Sequence, residues 1–288
     1  MTKVKVITDS TADLPKEIAE RYGITILPMT TSFSGVGYRD GVDLTAPEFY
    51  NRLASDVELP HTSQHSPQFL VDAYLEAMAD SSKVIAIHLS SGLSGTTQNA
   101  YLAQEILGDQ KSLVVVDSLS ASLGQGLLAV RAAQLAQLDL DQDKIVADLI
   151  AMRGRLRCIF IVNTLKYLLK GGRINRLQAT VGSLLDIKPI LHFNSEGKID
   201  QIDKIRGRKA ALRQLISMVI EQGVGLTGQT VGVSHAVCPD DAEQIKGILL
   251  QQCGVKNVII GEIGAVIGTH VGPGTVAVFF QGEPRSTL

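Results

Sequence analysis

Short apolar, β-branched runs alternate with helical periodicity through the first half of the chain. Val4–Thr8, Val84–Leu89 and Leu113–Val116 read as strands. Leu14–Tyr22, Ala46–Leu53, Pro67–Ala79, Gln98–Leu107 and Ser122–Ala136 carry apolar residues at three- and four-residue spacing and read as helices. Strand and helix in alternation is the signature of a mostly parallel sheet. Val84–Leu89 is nearly all apolar, as expected of a strand covered on both faces.

After a helical pattern near Gln142–Arg153 the texture changes. Ile187–Phe193, the polar turn Asn194-Ser195-Glu196-Gly197 and the partly alternating Lys198–Arg206 predict a β-hairpin. Strands at Thr230–Ser234, Asn257–Gly261 and Thr275–Phe280 follow, separated by helices at Lys209–Glu221 and Asp240–Gln251. The expected fold class is α/β with two lobes. An N-terminal mostly parallel sheet with flanking helices spans 1–155, and a mixed α/β lobe with antiparallel strands spans 156–288. Residues 60–75 are a candidate segment for crossing between them. No internal repeat or low-complexity tract is seen.

Each strand-like run in the first half stops at small polar residues. Val84–Leu89 runs into Ser90-Ser91-Gly92-Leu93-Ser94-Gly95-Thr96-Thr97, ahead of a helix. Strand, polar turn and helix N-terminus together suit an anion, because first-turn N–H groups are unpaired and the dipole is positive there. The bland alternative is a tight turn with capping hydroxyls. Val4–Thr8 likewise meets Asp9-Ser10-Thr11-Ala12-Asp13, and Leu113–Val116 meets Asp117-Ser118. A further hydroxyl cluster, His61-Thr62-Ser63-Gln64, precedes the helix at Pro67. Ligands of open α/β sheets bind at the edge where strand ends gather, so several such crossings predict one polar pocket.

Net charge is −2 and aromatic content is 5%, with no Trp, which argues against nucleic acid, anionic membranes and base-stacking platforms. The hydrophobic fraction of 45% is enough for a real core. Three cysteines, Cys158, Cys238 and Cys253, form no C-x-x-C pair and read as buried thiols in a reducing compartment. The chain opens directly into a strand, and Glu262, His270, Pro273 and several glycines interrupt the apolar stretch Val255–Phe280. The expectation is a cytoplasmic protein without an integral membrane segment.

Nucleotide, metal and hydrolase motifs fare poorly. The G-x-x-x-x-G-K-[ST] loop is absent, and His61 and His65 lack the glutamate of an H-E-x-x-H site, so neither cofactor nor metal is expected. Gly92-Leu93-Ser94-Gly95-Thr96 resembles the G-x-S-x-G elbow but lacks its last glycine. Lys170-Gly171-Gly172-Arg173 follows an apolar helix-like run and reads as a glycine C-cap with last-turn cations or as an anion contact. Thr269-His270-Val271-Gly272-Pro273-Gly274-Thr275 reads as a constrained loop that presents His270.

Taken in order along the chain, the segments Asp9–Asp13, Thr62-Ser63-Gln64, Ser90–Thr96, Lys170–Ile174 and His270–Gly274 resemble the DegV family over nearly the full length. The resemblance implies a two-lobed α/β lipid-binding protein that holds one long-chain fatty acid between its lobes. Similar proteins are the substrate-carrying subunits of bacterial fatty acid kinase and are not themselves enzymes. A separate ATP-binding subunit, related to dihydroxyacetone kinases, phosphorylates the bound acid, giving an acyl phosphate for phospholipid synthesis. By that resemblance Thr62 and Ser94, with their neighbours Ser63 and Gly95, hold the carboxylate, and His270 belongs to the same head site. Arg173 and Arg206 would face the kinase subunit or the arriving phosphate. The competing class is an autonomous hydrolase or phosphotransferase using Ser94.

Overall fold

The computed structural model describes residues 4–55, 58–80, 83–108, 112–174 and 186–285. In chain order its strands and helices are β1 (Val4–Asp9), α1 (Lys16–Tyr22), β2 (Thr25–Leu27), β3 (Thr30–Phe33), β4 (Val36–Arg39), α2 (Ala46–Ser55), β5 (His61–Ser63), α3 (Pro67–Asp80), β6 (Lys83–His88), α4 (Thr96–Leu107) and β7 (Leu113–Asp117). They continue as α5 (Leu123–Gln137), α6 (Gln142–Arg155), β8 (Leu156–Ile161), α7 (Lys166–Gly171), β9 (Ile187–Phe193), β10 (Ile199–Arg206), α8 (Arg208–Gln222), β11 (Thr230–His235), α9 (Pro239–Gln252), β12 (Asn257–Glu262), α10 (Ala265–Val271) and β13 (Val276–Gln281).

Three sheets result. The order β2-β1-β6-β7 is parallel throughout, as the alternation of strands and helices predicts. The order β10-β9-β8-β13-β11-β12 is antiparallel except for its last pair, and contains the expected hairpin. The α/β class with one parallel and one mixed sheet is therefore observed. A small antiparallel sheet, β4-β3-β5, was not expected, and it converts the hydroxyl cluster at His61–Ser63 from a helix lead-in to a strand.

Local signals explain several element ends. Glu48 reaches back to the start of α2: the Thr45 N–H and hydroxyl both donate to its Oε2, at 2.9 and 2.7 Å. Gly23, at φ 64°, closes α1 by donating to Ala19 and Glu20 carbonyls. Pro239 starts α9 with Asp240 and Asp241 in its first turn, where negative charge complements the dipole.

The layers follow from strand alternation. One face of the parallel sheet (Ile7, Val84, Ala86, Leu113, Val115) packs on α3 and α4 through Leu70, Tyr74, Ala100 and Ala103. One face of the mixed sheet (Ile159, Ile161, Val231, Val233, Val278) packs on α8 and α9 through Leu215, Val219, Ile245 and Leu249. The two remaining faces share a core around α5. From Leu123 to Val130 every residue of α5 is buried, and α5 touches β1 and β6 on one side and β8, β11 and β13 on the other. Small residues permit this approach. A Cβ on Gly124 would reach 2.8 Å from Phe279, and one on Gly126 would reach 2.9 Å from the Ala12 carbonyl.

Candidate functional site

A cavity of about 400 Å³ lies between the inner face of the mixed sheet and the carboxyl-end loops of the parallel sheet. The sheet supplies its floor. Cys158 and Phe160 of β8 point the same way as Ala277 and Phe279 of β13, because Ala277 is register partner to Phe160 and Phe279 to Cys158. The base of the hairpin adds Phe193 and Ile199, which are also register partners. Helix α10 contributes Val266, Ile267 and Val271 from one side, and Leu89, Leu93 and Ala121 come from the loops opposite. The walls are thus mainly apolar. Cys158 is fully buried, and burial pushes its thiol well above the ordinary range, so it serves as a small apolar group. Cys238 and Cys253 are only half-buried, contrary to the expectation of three buried thiols; all three are free.

One pair of polar side chains on the lining meets directly. Thr62 Oγ1 and His270 Nε2 are 2.9 Å apart. Thr62 arrives on the edge strand β5, and His270 on the last turn of α10, not on a loop as its Gly-Pro-Gly neighbourhood suggested. Gly264 and Gly268 hid this short helix, since glycine lowers helix propensity. Gly268 is there for packing: a Cβ would lie 2.6 Å from the Tyr50 hydroxyl and 2.7 Å from Phe49.

Burial, followed by the nearby Arg173 guanidinium, pulls His270 down to about 4, so the ring is neutral near pH 7. Its Nδ1 is buried without a partner, held against Gly171, whose missing side chain makes the room. A buried N–H without an acceptor is costlier to leave than an empty lone pair. The proton therefore belongs on Nε2, which donates to Thr62 and leaves the Thr62 hydroxyl proton free for an incoming acceptor.

Ser94 also lines the cavity. Its Oγ accepts from Thr96 N–H at 3.2 Å and lies 3.0 Å from Thr96 Oγ1. Ser63 and Gln64 also line the cavity; Gly95 does not, but an added Cβ there would strike the Gln64 side chain. Arg173 is half-buried where the sequence suggested an exposed rim. Its Nε donates to the Leu93 carbonyl at 3.1 Å, and a terminal nitrogen donates to the Gly171 carbonyl. Burial lowers its pKa. Arg206 is exposed at the end of β10 and lines neither the cavity nor the smaller space beside it.

Thr62, Arg173 and His270 form a partition. Behind them lies a smaller space of about 210 Å³, also lined by His61, Tyr167, Lys170 and Gly171.

The other hydroxyl crossings do not join this site. Asp9 is fully buried, accepting from His88 Nδ1 at 2.9 Å and from Thr11, while His88 Nε2 meets the Tyr74 hydroxyl at 2.7 Å. Burial opposes ionisation of Asp9, but the bonds from His88 and Thr11 outweigh it and hold the carboxyl low. Asp117 accepts from the N–H groups of Ser91 and Leu119. These side chains are consumed in tying strand ends together, which is why they do not face a ligand. Ser122 was not foreseen as a cavity residue. Among the described residues no cluster of three or more His, Cys, Asp or Glu could hold a metal ion, and no helix is long and apolar enough to cross a membrane.

A family model described as "Uncharacterised protein, DegV family" matches residues 3–283. DegV domain-containing proteins of Caldanaerobacter subterraneus subsp. tengcongensis and Clostridium perfringens are 34% and 35% identical, with 98% and 99% of this chain and 99% of each relative covered. A DegV family protein from Thermus thermophilus, described for its fatty acid binding, superimposes with a TM-score of 0.91 at 31% identity, covering 98% of this chain and all of that one. DegV from Bacillus subtilis, described as a fatty acid binding protein, gives 0.87 at 34% identity with the same coverage. The chain belongs to the DegV family.

Proposed function

We propose that this chain binds one long-chain fatty acid in the cavity and presents its carboxylate to a separate ATP-dependent kinase subunit. The carrying observation is a mainly apolar cavity whose lining includes the Thr62–His270 pair, with Ser94 also on its wall. Burying a methylene contributes about 0.8 kcal/mol, so a chain of roughly sixteen carbons gains on the order of 12 kcal/mol gross. Lost ligand freedom offsets much of that. The tail supplies affinity, and the head group sets orientation.

In this reading Thr62 and Ser94 donate to the carboxylate, and His270 holds Thr62 in the donating rotamer. Arg173 sits between cavity and outer space, suited to neutralise a phosphoryl group arriving from outside; Lys170 and His61 line that entry. Arg206, exposed at the end of β10, belongs to the docking face. The lobes meet across the cavity, with 1–155 and 156–288 as their extents. The chain has no nucleotide loop, so ATP comes from the partner. A serine hydrolase using Ser94 is less well supported, because Ser94 is bonded to Thr96 and not to a histidine.

Native mass spectrometry followed by solvent extraction tests the binding, and acyl phosphate assays with and without a dihydroxyacetone-kinase-like subunit test the presentation. Co-purified fatty acid with partner-dependent turnover is expected. ATP-dependent turnover by the chain alone, or ester hydrolysis lost in Ser94→Ala, would overturn the reading.

A further inference from the structure

The loop Asp9–Asp13 looks from its sequence like part of a ligand pocket, yet its carboxylates face inward. Asp13 is buried, with φ 48°, and its Oδ1 accepts from Gly264 N–H at 2.9 Å. Asp40, also buried, accepts from Ala265 N–H at 2.8 Å and from Val266 N–H. Two carboxylates from different parts of the chain thus occupy the N-terminus of α10, and His270 lies on the last turn of the same helix. His270 lies five helical steps beyond Ala265, about 7.5 Å along the axis.

Three details show that this arrangement is specified. A Cβ on Gly264 would lie 2.9 and 3.0 Å from the Asp40 oxygens and 3.3 Å from Asp13 Oδ1, so glycine alone admits both carboxylates. Ser10 Oγ donates to Asp40 Oδ2 at 3.0 Å and accepts from Met29 N–H at 3.1 Å, which fixes the Asp40 carboxylate. Ser122, a cavity residue, is 2.5 Å from Asp13 Oδ2 and 2.8 Å from Ser234 Oγ. In addition the Tyr50 hydroxyl donates to the Ile263 carbonyl at 3.0 Å, just before the helix.

We infer that Asp13 and Asp40 are positioning residues that set the height of His270 at the head site by clamping the opposite end of α10. A seven-residue helix has little cohesion of its own, so its placement follows its ends. Asp13 and Asp40 hold one end. The C-terminal end is fixed by Gly272 against Tyr167. Loss of either carboxylate lets α10 slide or fray, and His270 moves away from Thr62, while the walls from β8, β13 and the base of the hairpin remain. The D-S-T-A-D loop therefore serves the head site without touching ligand. This inference rests on the proposed placement of the fatty acid carboxylate at Thr62 and His270.

The test uses full-length protein loaded with palmitate labelled with ¹³C at the carboxyl carbon. Asp13→Asn and Asp40→Asn are expected to retain near wild-type palmitate, while the bound carboxyl resonance shifts toward its position in His270→Ala. Asp40→Ala should shift it further than Asp40→Asn, since Asn keeps one acceptor for Ala265 N–H. Ser10→Ala, a milder change, should shift it in the same sense by less, and covers the case in which an aspartate variant fails to fold. Leu215→Ala, in the core on the far face of the mixed sheet, lowers melting temperature and should leave the resonance unmoved. A resonance moved by His270→Ala but by none of the aspartate and serine variants overturns the positioning role alone. A resonance that His270→Ala does not move overturns the head-site reading, and the positioning role with it.

Discussion

Thr62 and His270 are 208 positions apart in sequence, and their side chains meet at 2.9 Å. One comes from the edge of a three-stranded sheet and the other from a short helix, so the pair forms only when the whole chain is folded. Thr62→Val keeps the shape and removes the hydroxyl. If Thr62 donates to a carboxylate, the loss is about 1.5–3 kcal/mol of head-group interaction. Palmitate content should persist, and turnover with a kinase partner should fall by roughly tenfold or more. Equal turnover per loaded molecule in wild type and variant would make Thr62 a strand residue only.

His270 makes the protein sensitive to mild acid with a definite sign. Its folded value of about 4 lies below the ordinary 6.5, so the unfolded chain binds the proton more readily. Stability is unaffected above pH 6.5, falls as pH drops from 6.5 toward 4, and levels off below. The loss is on the order of 3 kcal/mol. Asp13 and Asp40, both raised by burial, act in the opposite sense, so the whole-protein curve mixes the two. Subtracting the pH-dependent unfolding free energy of His270→Gln from that of wild type isolates the histidine. A difference that stays flat from pH 7 to 4 contradicts the assignment.

Arg173 stands in the partition, touching both spaces. Arg173→Ala should leave lipid occupancy near normal and lower kinase-supported turnover. Salt should weaken the wild-type partnership more than the variant's, because it screens a charge contact the variant has already lost. Measuring occupancy and turnover on one preparation decides the matter. Lost lipid with unchanged turnover per loaded molecule would place Arg173 in the acid's own binding site.

Cys158 and Phe279 face the cavity side by side on adjoining strands. Cys158→Phe fills room now open to the tail, at a packing cost of about 1–3 kcal/mol. The co-purified acids should shift toward shorter chains, read by extraction and mass spectrometry. An unchanged chain-length profile would mean that the tail runs elsewhere.

Much of the architecture is legible because long elements carry long signals. The helices at Ala46, Pro67 and Gln142 and the hairpin at Ile187–Arg206 follow directly from periodicity and turn chemistry. Strand β8 escapes because α6 ends at Arg155 and β8 begins at Leu156, with no glycine, proline or polar turn between them. Strands β3, β4 and β5 are too short for alternation to register. Thr62, Ser63 and Ser94 were legible as pocket candidates from their hydroxyl runs, and Arg173 and His270 from their glycine-bounded turns, while a role for each at a carboxylate head came only with the family resemblance. The D-S-T-A-D loop was misread because composition shows hydroxyls and carboxylates but not whether the protein's own N–H groups already claim them. Ser122 was hidden inside an apolar helical pattern.

The burial of α5 has a consequence for how the chain acquires its structure. A helix with no solvent-facing stretch from Leu123 to Val130, and with glycines at 124 and 126, cannot persist as an isolated segment. It is stable only once both large sheets have closed on it, and neither sheet has a finished core without it. The two halves therefore cannot melt one after the other, although their topologies differ. Denaturant titration followed by a parallel-sheet probe and a mixed-sheet probe should give coincident curves and a single cooperative transition.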